Sequence, residues 1–344
     1  MKLIILFAIC LSFIQCTSKT SEEEPYTFDK VRQITLQNME YPDIIGIGMQ
    51  LVQIDSLLII NDFHGDSLLN VYDPGRHAIK KRLISKGSGP NDMSSPLDIS
   101  LCNDKLYILS RPLFKFAYIP KDQVLAPRPQ MYGHTQLPQM SDRFLPLNDS
   151  LFVFSGMWEQ RYALYQKHKA DSLRTFGDYP AFWSEEKGIP VMSKAMFHQC
   201  EMVKHPKKDL FASASNYVLE IFSFDPTGKE LPHLKFRKKL GNYEYTFSSG
   251  EMISAKRKET SDPRVLRICC SEKYLYLLRE VKDDENQMEI CIIDWEGKPI
   301  ELLKADKRIT TLIIHEAQHK GFCLADDPEC MLYSFDILQD YYKH

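Results

Sequence analysis

Six strand-rich units recur along the chain from about Leu51 onward, and this recurrence constrains the fold more than any single residue does. Three of them end almost alike, in the segments VYDPGRHAI, FSFDPTGKE and CIIDWEGKP, where an aspartate opens a polar turn. The other three end in the weaker versions AYIPKDQVL, ALYQKHKADSL and YSFDILQ. A repeat of about 40 to 50 residues is typical of stacked supersecondary units, and units made only of strands indicate propeller blades.

Within each unit an apolar strand, a polar turn, a second strand such as LYIL or YLYLL, a loop and a third strand follow in order. A fourth, more charged strand follows each polar turn, as in HAIKKRLI, and suits an exposed blade edge. The sequence therefore predicts an all-β, six-bladed propeller of four-stranded antiparallel blades. Longer insertions in the third to fifth units leave five or seven blades open.

The ends of the repeat array and the non-repeating segments give two further expectations. The strand-like stretch Tyr26–Leu36 precedes the first unit, so we expect it to supply the outer strand of the last blade and close the ring. Helical periodicity is nearly absent, and only Glu251–Thr260 offers a short polar helix.

The N-terminal segment has the pattern of an export signal. Lys2 is followed by the apolar run Leu3–Ile14, which is too short to span a bilayer comfortably. Cys16 ends LSFIQC and precedes the tract TSKTSEEEP, an arrangement that resembles a bacterial lipoprotein signal, in which the cysteine is lipidated. The resemblance implies a signal peptide over 1–16, an acidic tether over 17–25 and a propeller over 26–344. A plain secreted protein and an uncleaved anchor are the alternatives.

The charge and cysteine content narrow the possible partners. Lysine and arginine number 43 against 46 acidic residues and no long basic run occurs, which argues against nucleic-acid binding. Without Cys10 and Cys16, seven of the nine cysteines remain, an odd number that fits buried free thiols better than a disulfide framework. No CxxC spacing supports a zinc or redox motif.

A glycine- and proline-rich crossover joins the first two units. It reads ISKGSGPNDMSSPLDI, from Ile84 to Ile99, and leads through Pro96 toward LYIL. Gly87 and Gly89 permit unusual backbone angles there. The segment resembles the blade crossover of NHL-like and TolB-like six-bladed propellers, in particular those that occur as lipoproteins of Gram-negative bacteria. That resemblance implies a propeller held in the cell envelope.

The segment HEAQH, from His315 to His319, matches the HExxH pattern of zinc proteases. That chemistry requires both histidines on one face of a helix. Here a β-branched run precedes the motif and Lys320-Gly321 opens another strand, so we expect HEAQH to form a hairpin turn of the sixth unit.

Candidate ligand-binding residues lie in the loops after the second strand of each unit, which converge at one end of a propeller channel. The six candidates are Asp62, Arg111, Trp158, Asn216, Arg279 and Asp327. Polar neighbours in the same loops are His64, Glu159, Arg161 and Asp326. Trp158 is the candidate we expect to be an exposed anchor for a partner. Trp183, in a later insertion, is placed over the same face, and no catalytic or metal-binding residue is assigned.

The sequence thus favours an outer-membrane lipoprotein facing the periplasm or the cell surface. Its propeller is expected to be a non-enzymatic binding module for a protein, peptide or glycan, without a cofactor and without nucleic acid. One alternative is a calcium-dependent, lactonase-like hydrolase with Asp62, Asn216 and Asp327 as metal ligands. Another is a structural subunit of an envelope complex. Fold alone does not choose among these functions.

Overall fold

Each repeat unit forms one antiparallel sheet, and six such sheets stand around a central axis. The computed structural model describes residues 26–337 except for 88, 90, 138–140, 168–172, 184, 250–252 and 327. The innermost strands of successive blades contact one another in sequence order, and that of the sixth blade contacts that of the first. The expected six-bladed propeller is therefore confirmed, and the five- and seven-bladed alternatives are excluded.

The blades are numbered in chain order, and each runs from its innermost to its outermost strand. Blade 1 contains β3 (Gly48–Ile54), β4 (Leu57–Asp62), β5 (Ser67–Asp73) and β6 (Ala78–Ser85). Blade 2 contains β7 (Leu97–Cys102), β8 (Lys105–Ser110), β9 (Lys115–Pro120) and β10 (Tyr132–Gln136). Blade 3 contains β11 (Ser141–Pro146), β12 (Leu151–Gly156), β13 (Tyr162–Gln166) and β14 (Leu173–Phe176). Blade 4 contains β15 (Cys200–Lys204), β16 (Leu210–Ser215), β17 (Val218–Ser223) and β18 (His233–Lys239). Blade 5 contains β21 (Val265–Cys270), β22 (Tyr274–Val281), β23 (Asp284–Asp294) and β24 (Pro299–Ala305). Blade 6 contains β25 (Arg308–His315), β26 (Lys320–Asp326) and β27 (Cys330–Asp336).

Two N-terminal strands complete the last two blades. β1 (Val31–Ile34) pairs in parallel with β24, and β2 (Gln37–Asn38) pairs in antiparallel register with β27. Tyr26–Leu36 therefore does not form the expected outer strand of the last blade but adds a fifth strand to blade 5. The two residues that follow it form the outer strand of blade 6. The apolar side chains of this segment decide the placement, because Ile34 and Leu36 are buried in the cluster between blades 5 and 6.

The core is divided among the blade interfaces. Six apolar clusters lie one between each pair of neighbouring blades, including the pair formed by blades 6 and 1. The second strands are buried on both faces and read as apolar runs, such as LLIIND in β4, whereas outer strands such as β6 alternate with exposed residues. Burying one aliphatic side chain contributes about 1.5 to 3 kcal/mol, so these clusters supply most of the driving force.

The recurring aspartate of the polar turns has a structural role. The Asp225 carboxylate accepts hydrogen bonds from the backbone N–H groups of Thr227, Lys229 and Glu230. The carboxylates of Asp73 and Asp294 accept equivalent backbone bonds in their own turns. These bonds close the turn between the third and fourth strands, which explains why the three segments look alike.

Two insertions lie on the crossovers that flank blade 4. The first contains a 3₁₀ turn at Glu185–Gly188 and the only α-helix of the described residues, α1 (Val191–Phe197). The second forms the hairpin of β19 (Tyr245–Ser249) and β20 (Ile253–Arg257), so the helix expected over Glu251–Thr260 was wrong. α1 packs against both strands of the hairpin, and an aromatic cluster joins the insertions.

The seven cysteines of the described residues carry free thiols, as expected. Four are buried and three are partly buried, and Cys269 and Cys270 are adjacent in β21.

Candidate functional site

A central channel with a cavity of about 250 Å³ runs along the innermost strands of all six blades. At one level it is lined by one polar side chain from each blade, here called the channel ring. The ring consists of Gln50, Asp98, Arg143, Glu201, Arg267 and Thr311. Acidic and basic residues alternate through blades 2 to 5, so the channel is polar without a large net charge.

Backbone irregularities precede four of the six ring residues. The strand register shifts just before Gln50, Arg143, Arg267 and Thr311. Asp98 and Glu201 lie on innermost strands with continuous register. A β-bulge adds one residue to a strand and re-aims the side chains that follow it. The bulges thus set which residue of each strand joins the ring.

Hydrogen bonds and ion pairs hold the ring together. Gln50 Nε2 donates to Asp98 Oδ1 at 2.6 Å, and the backbone N–H of Phe144 donates to Asp98 Oδ2 at 3.1 Å. Burial raises the pKa of Asp98 to about 6, although Arg143 opposes that rise. On the other side of the channel, Arg267 pairs with Glu201 at 3.2 Å.

The channel widens into a second cavity of about 370 Å³, here called the channel mouth, where the innermost strands of blades 3 to 6 begin. It shares Arg143, Glu201 and Arg267 with the ring. Its further polar residues are Asp142, Gln199, Ser215, Asn216, Arg264, Arg308, Thr310 and Asp326. The crossovers and the loops after the second strands reach this end, which is the end expected from the sequence.

Three of the residues expected from the sequence lie at this mouth. Asn216 and Asp326 line it directly. The Asn216 amide donates to the carbonyl of Phe197 at 3.3 Å, at the end of α1. Arg111 forms an ion pair with Asp142, a mouth residue, and so lies just beside the cavity.

Asp62 and Arg279 have structural partners elsewhere. Asp62 is 1% exposed, and its carboxylate accepts bonds from the backbone N–H groups of Gly46, Ile47 and His64 at 3.0 to 3.1 Å. It lines a separate cavity beside the loops of blade 1. Arg279 pairs with Glu289 across β22 and β23 at 2.5 Å.

The loop after β12 differs from expectation. The Trp158 indole is partly buried against the cluster between blades 2 and 3 rather than exposed, and the Trp158 carbonyl accepts a bond from the Tyr179 hydroxyl at 3.0 Å. Arg161 is 2% exposed and pairs with Glu220 at 2.6 Å.

Trp183 packs edge-on against Tyr243 in the insertion. Asp327 and Cys16 lie outside the described residues.

Sequence reasoning missed the residues of the innermost strands. Arg143, Glu201 and Arg267 lie in the segments SDRFLP, CEMVK and VLRICC, where one or two charged residues interrupt an apolar strand. A charged residue in the first half of an otherwise buried strand was the available signal, because burial of a charge requires a partner or a polar cavity.

The HEAQH segment is a hairpin turn, as expected. His315 ends β25, Glu316–Gln318 form a 3₁₀ turn, and His319 adopts a left-handed conformation before β26. Glu316 Oε1 accepts a bond from the backbone N–H of Glu272. Over the part of the chain that the structure describes, no group of three His, Cys, Asp or Glu side chains is placed to hold a metal ion.

A family model described as TolB-like 6-blade propeller-like matches residues 27–317. The chain belongs to this TolB-like six-bladed propeller family. The match spans blades 1 to 5 and the innermost strand of blade 6, which agrees with the resemblance carried by the crossover after blade 1. No curated protein matches this TolB-like chain significantly.

Solved structures share the fold at low sequence identity. A member of the DUF4221 family from Bacteroides vulgatus is 10% identical, with a TM-score of 0.55 over 88% of this chain and 95% of that one. A Bacteroides fragilis protein whose name calls it exported is 10% identical, with a TM-score of 0.53 over 89% and 98%. The β-propeller domain of Cps50 (Swd1) from Myceliophteria thermophila is 11% identical, with a TM-score of 0.51 over 88% and 100%. Among the described residues, no helix of this TolB-like protein is long and apolar enough to cross a membrane.

Proposed function

We propose that this TolB-like protein is a cell-envelope lipoprotein whose propeller is a non-enzymatic binding module for a protein, peptide or glycan. The channel mouth is the proposed binding site. The observation that carries this proposal is the composition of the mouth: charged and amide side chains from four blades converge on one open cavity of about 370 Å³. Cavities of this size with a few convergent polar groups are the usual form of ligand sites.

The state of the charged groups supports binding rather than catalysis. Asp142 is paired with Arg111 and Arg143, Glu201 with Arg267, and Arg264 with Glu280, so these groups are oriented by one another. An ion-paired carboxylate is a weak general base and a weak nucleophile. Such a rim provides directional hydrogen bonds and specificity.

A photocrosslinking experiment tests the site. A photoreactive amino acid replaces Gln199 in the mouth, and in a matched control it replaces Glu296, which lies on an exposed turn at the opposite end of blade 5. We expect irradiation of intact cells to give a discrete adduct from the Gln199 position only. Equal adducts from both positions would show that the mouth is not the binding site.

The anchor and location form the second part of the proposal. The LSFIQC segment and the acidic tract behind it support lipidation of Cys16, and the similar Bacteroides fragilis protein named as exported supports a place outside the cytoplasm. We place the protein in the outer membrane, facing the periplasm or the cell surface. Cys16→Ser should abolish labelling by radioactive palmitate, whereas Cys10→Ser should retain it. Labelling of the Cys16→Ser chain would refute the anchor.

The geometry does not favour the calcium-dependent hydrolase. Two of its expected ligands, Asp62 and Asn216, line different cavities. The Asp62 carboxylate already accepts three backbone bonds, so its oxygens are engaged.

A further inference from the structure

The described residues that line the channel mouth offer more charged donors than charged acceptors. Among them are four arginines, against three carboxylates. The arginines are Arg143, Arg264, Arg267 and Arg308, and the carboxylates are Asp142, Glu201 and Asp326. A guanidinium carries only donors, about five N–H groups each, so a group that only accepts hydrogen bonds would complement this surface. This reasoning rests on the proposed function, because it concerns the same cavity.

Arg267 provides an unused donor inside the mouth. Its terminal nitrogen pairs with Glu201 at 3.2 Å and also donates to the Leu266 carbonyl at 2.9 Å. Its Nε is buried and has no acceptor among the described residues. An unpartnered buried donor is unfavourable, so the complex would gain from any shift of the Arg267 side chain that brings this Nε to a ligand acceptor.

Arg308 provides a second donor on the neighbouring strand. It begins β25, its side chain is exposed at the rim, and it stands opposite Asp326 in the β25–β26 register. No ion pair or hydrogen bond of its side chain occurs within the described part of the chain. Arg267 and Arg308 line the same cavity from adjacent blades.

We propose that the channel mouth binds a carboxylate group of a peptide ligand, with Arg267 and Arg308 as its donors. The planar fork of arginine matches a carboxylate in two-point geometry. The amides of Gln199 and Asn216, which line the same cavity, match the peptide groups next to that carboxylate. None of the described residues that line the mouth is aromatic, so they offer no ring on which a sugar would stack.

The test compares two probes on the full-length, detergent-solubilised protein by titration calorimetry. One is acetyl-trialanine with a free C-terminal carboxylate, and the other is the same peptide with a C-terminal amide. We expect the free acid to bind at least about tenfold more tightly than the amide, because charge-assisted hydrogen bonds contribute that much. Raising the salt concentration should narrow the difference.

Two variants of Arg308 and one control variant test Arg308 as a donor. Arg308→Gln removes an exposed guanidinium and should reduce the acid-over-amide preference to below about threefold, and Arg308→Lys should restore part of it. Arg76→Gln, on an exposed outer turn of blade 1, is the matched control and should leave the preference unchanged. Arg308 lies at the surface, so its substitution leaves the fold intact.

The outcomes separate this inference from the proposed function. Equal binding of acid and amide, or a preference that survives Arg308→Gln, would overturn the carboxylate assignment. Tighter binding of an oligogalacturonate than of the peptide acid would overturn the peptide assignment. If either result is obtained but the Gln199 position still gives a crosslink, the proposed binding module is retained. If the Gln199 crosslink is absent, both the proposed binding site and the carboxylate specificity are refuted.

Discussion

At the scale of single residues, the least expected feature is a charged network buried between blades 3 and 4. Glu220 is fully buried and pairs with Arg161 at 2.6 Å and with Arg237 at 2.7 Å, while the Tyr162 hydroxyl donates to it at 2.7 Å. Burial alone would raise the pKa of Glu220, but the two guanidiniums lower it below its ordinary value. Charges buried in this way depend on their partners.

Glu220→Gln should therefore lower the free energy of unfolding by about 3 to 5 kcal/mol, because it leaves Arg161 buried without a counter-charge. Denaturant titration at neutral pH measures the change. Arg76→Gln breaks an exposed pair with Asp73 and should change stability by less than about 1 kcal/mol. A loss below 1 kcal/mol for Glu220→Gln would contradict the assigned role.

His198 makes stability depend on pH. Its ring is 3% exposed, and burial lowers its pKa to about 4, although Glu186 opposes the shift. Since the unfolded chain takes up a proton near pH 6.5 and the folded chain does not, the stabilising contribution is complete above pH 6.5. It is lost as the pH falls toward 4.

We expect His198→Gln to remove about 2 kcal/mol of the stability difference between pH 7 and pH 5. The raised pKa of Asp98 changes stability in the opposite direction over this pH range. The parent chain and His198→Gln must therefore be compared with each other at both pH values. Denaturant titrations at pH 7 and pH 5 supply the four free energies. His233→Gln, at an exposed site, is the control and should show the same stability difference between pH 7 and pH 5 as the parent chain. If His198→Gln also shows the difference of the parent chain, the prediction is refuted.

At the scale of elements, one carboxylate ties together the two insertions beside the mouth. Glu186 Oε1 accepts bonds from the hydroxyls of Tyr243 at 3.1 Å and Tyr245 at 3.4 Å, and it lies 3.4 Å from His198 Nε2. Glu186 Oε2 accepts a bond from the backbone N–H of Phe182 at 2.8 Å. The first insertion is thereby attached to the β19–β20 hairpin by polar contacts as well as by stacked rings.

Glu186→Leu should loosen these elements without unfolding the blades, because it leaves two buried tyrosine hydroxyls without an acceptor. Hydrogen exchange should accelerate by tenfold or more in α1 and β19 and remain unchanged in β16 and β22. Glu185→Gln, at the exposed neighbouring position, is the control and should leave the exchange of α1 unchanged. Faster exchange throughout the blades of Glu186→Leu would assign Glu186 to the global fold instead.

Local signals explain what could be predicted from the sequence and what could not. Asp73, Asp225 and Asp294 form hydrogen bonds within their own turns. Because these bonds are local, the repeats could be recognised in the sequence. The channel ring depends on register shifts before Gln50, Arg143, Arg267 and Thr311, which arise from strand pairing and leave no local pattern. The helix Val191–Phe197 follows Pro190 but is only two turns long, too short for its periodicity to stand out.

At the scale of the whole molecule, the N-terminal segment joins blades 5 and 6. Ile34 is 5% exposed in the cluster between blades 5 and 6, whereas Val31 in the same strand is 55% exposed. Ile34→Asp should lower the free energy of unfolding by more than about 3 kcal/mol, because it buries a carboxylate in an apolar cluster. Thermal and denaturant unfolding measure the loss, and Val31→Asp is the matched control. Equal stability of the two variants would show that the packing of β1 between blades 5 and 6 is dispensable.

The pairing of β2 with β27 joins the N-terminal strand pair to the last described strand of the chain. A ribosome makes β2 long before β27, so blade 6 cannot be completed until β27 has been synthesised. Contacts between such distant segments are slow to form, and until then the edge of blade 6 is open to other chains. Completion of the propeller therefore waits for the synthesis of β27, and a chain cut short before blade 6 would keep β2 unpaired, with a free strand edge open to other chains.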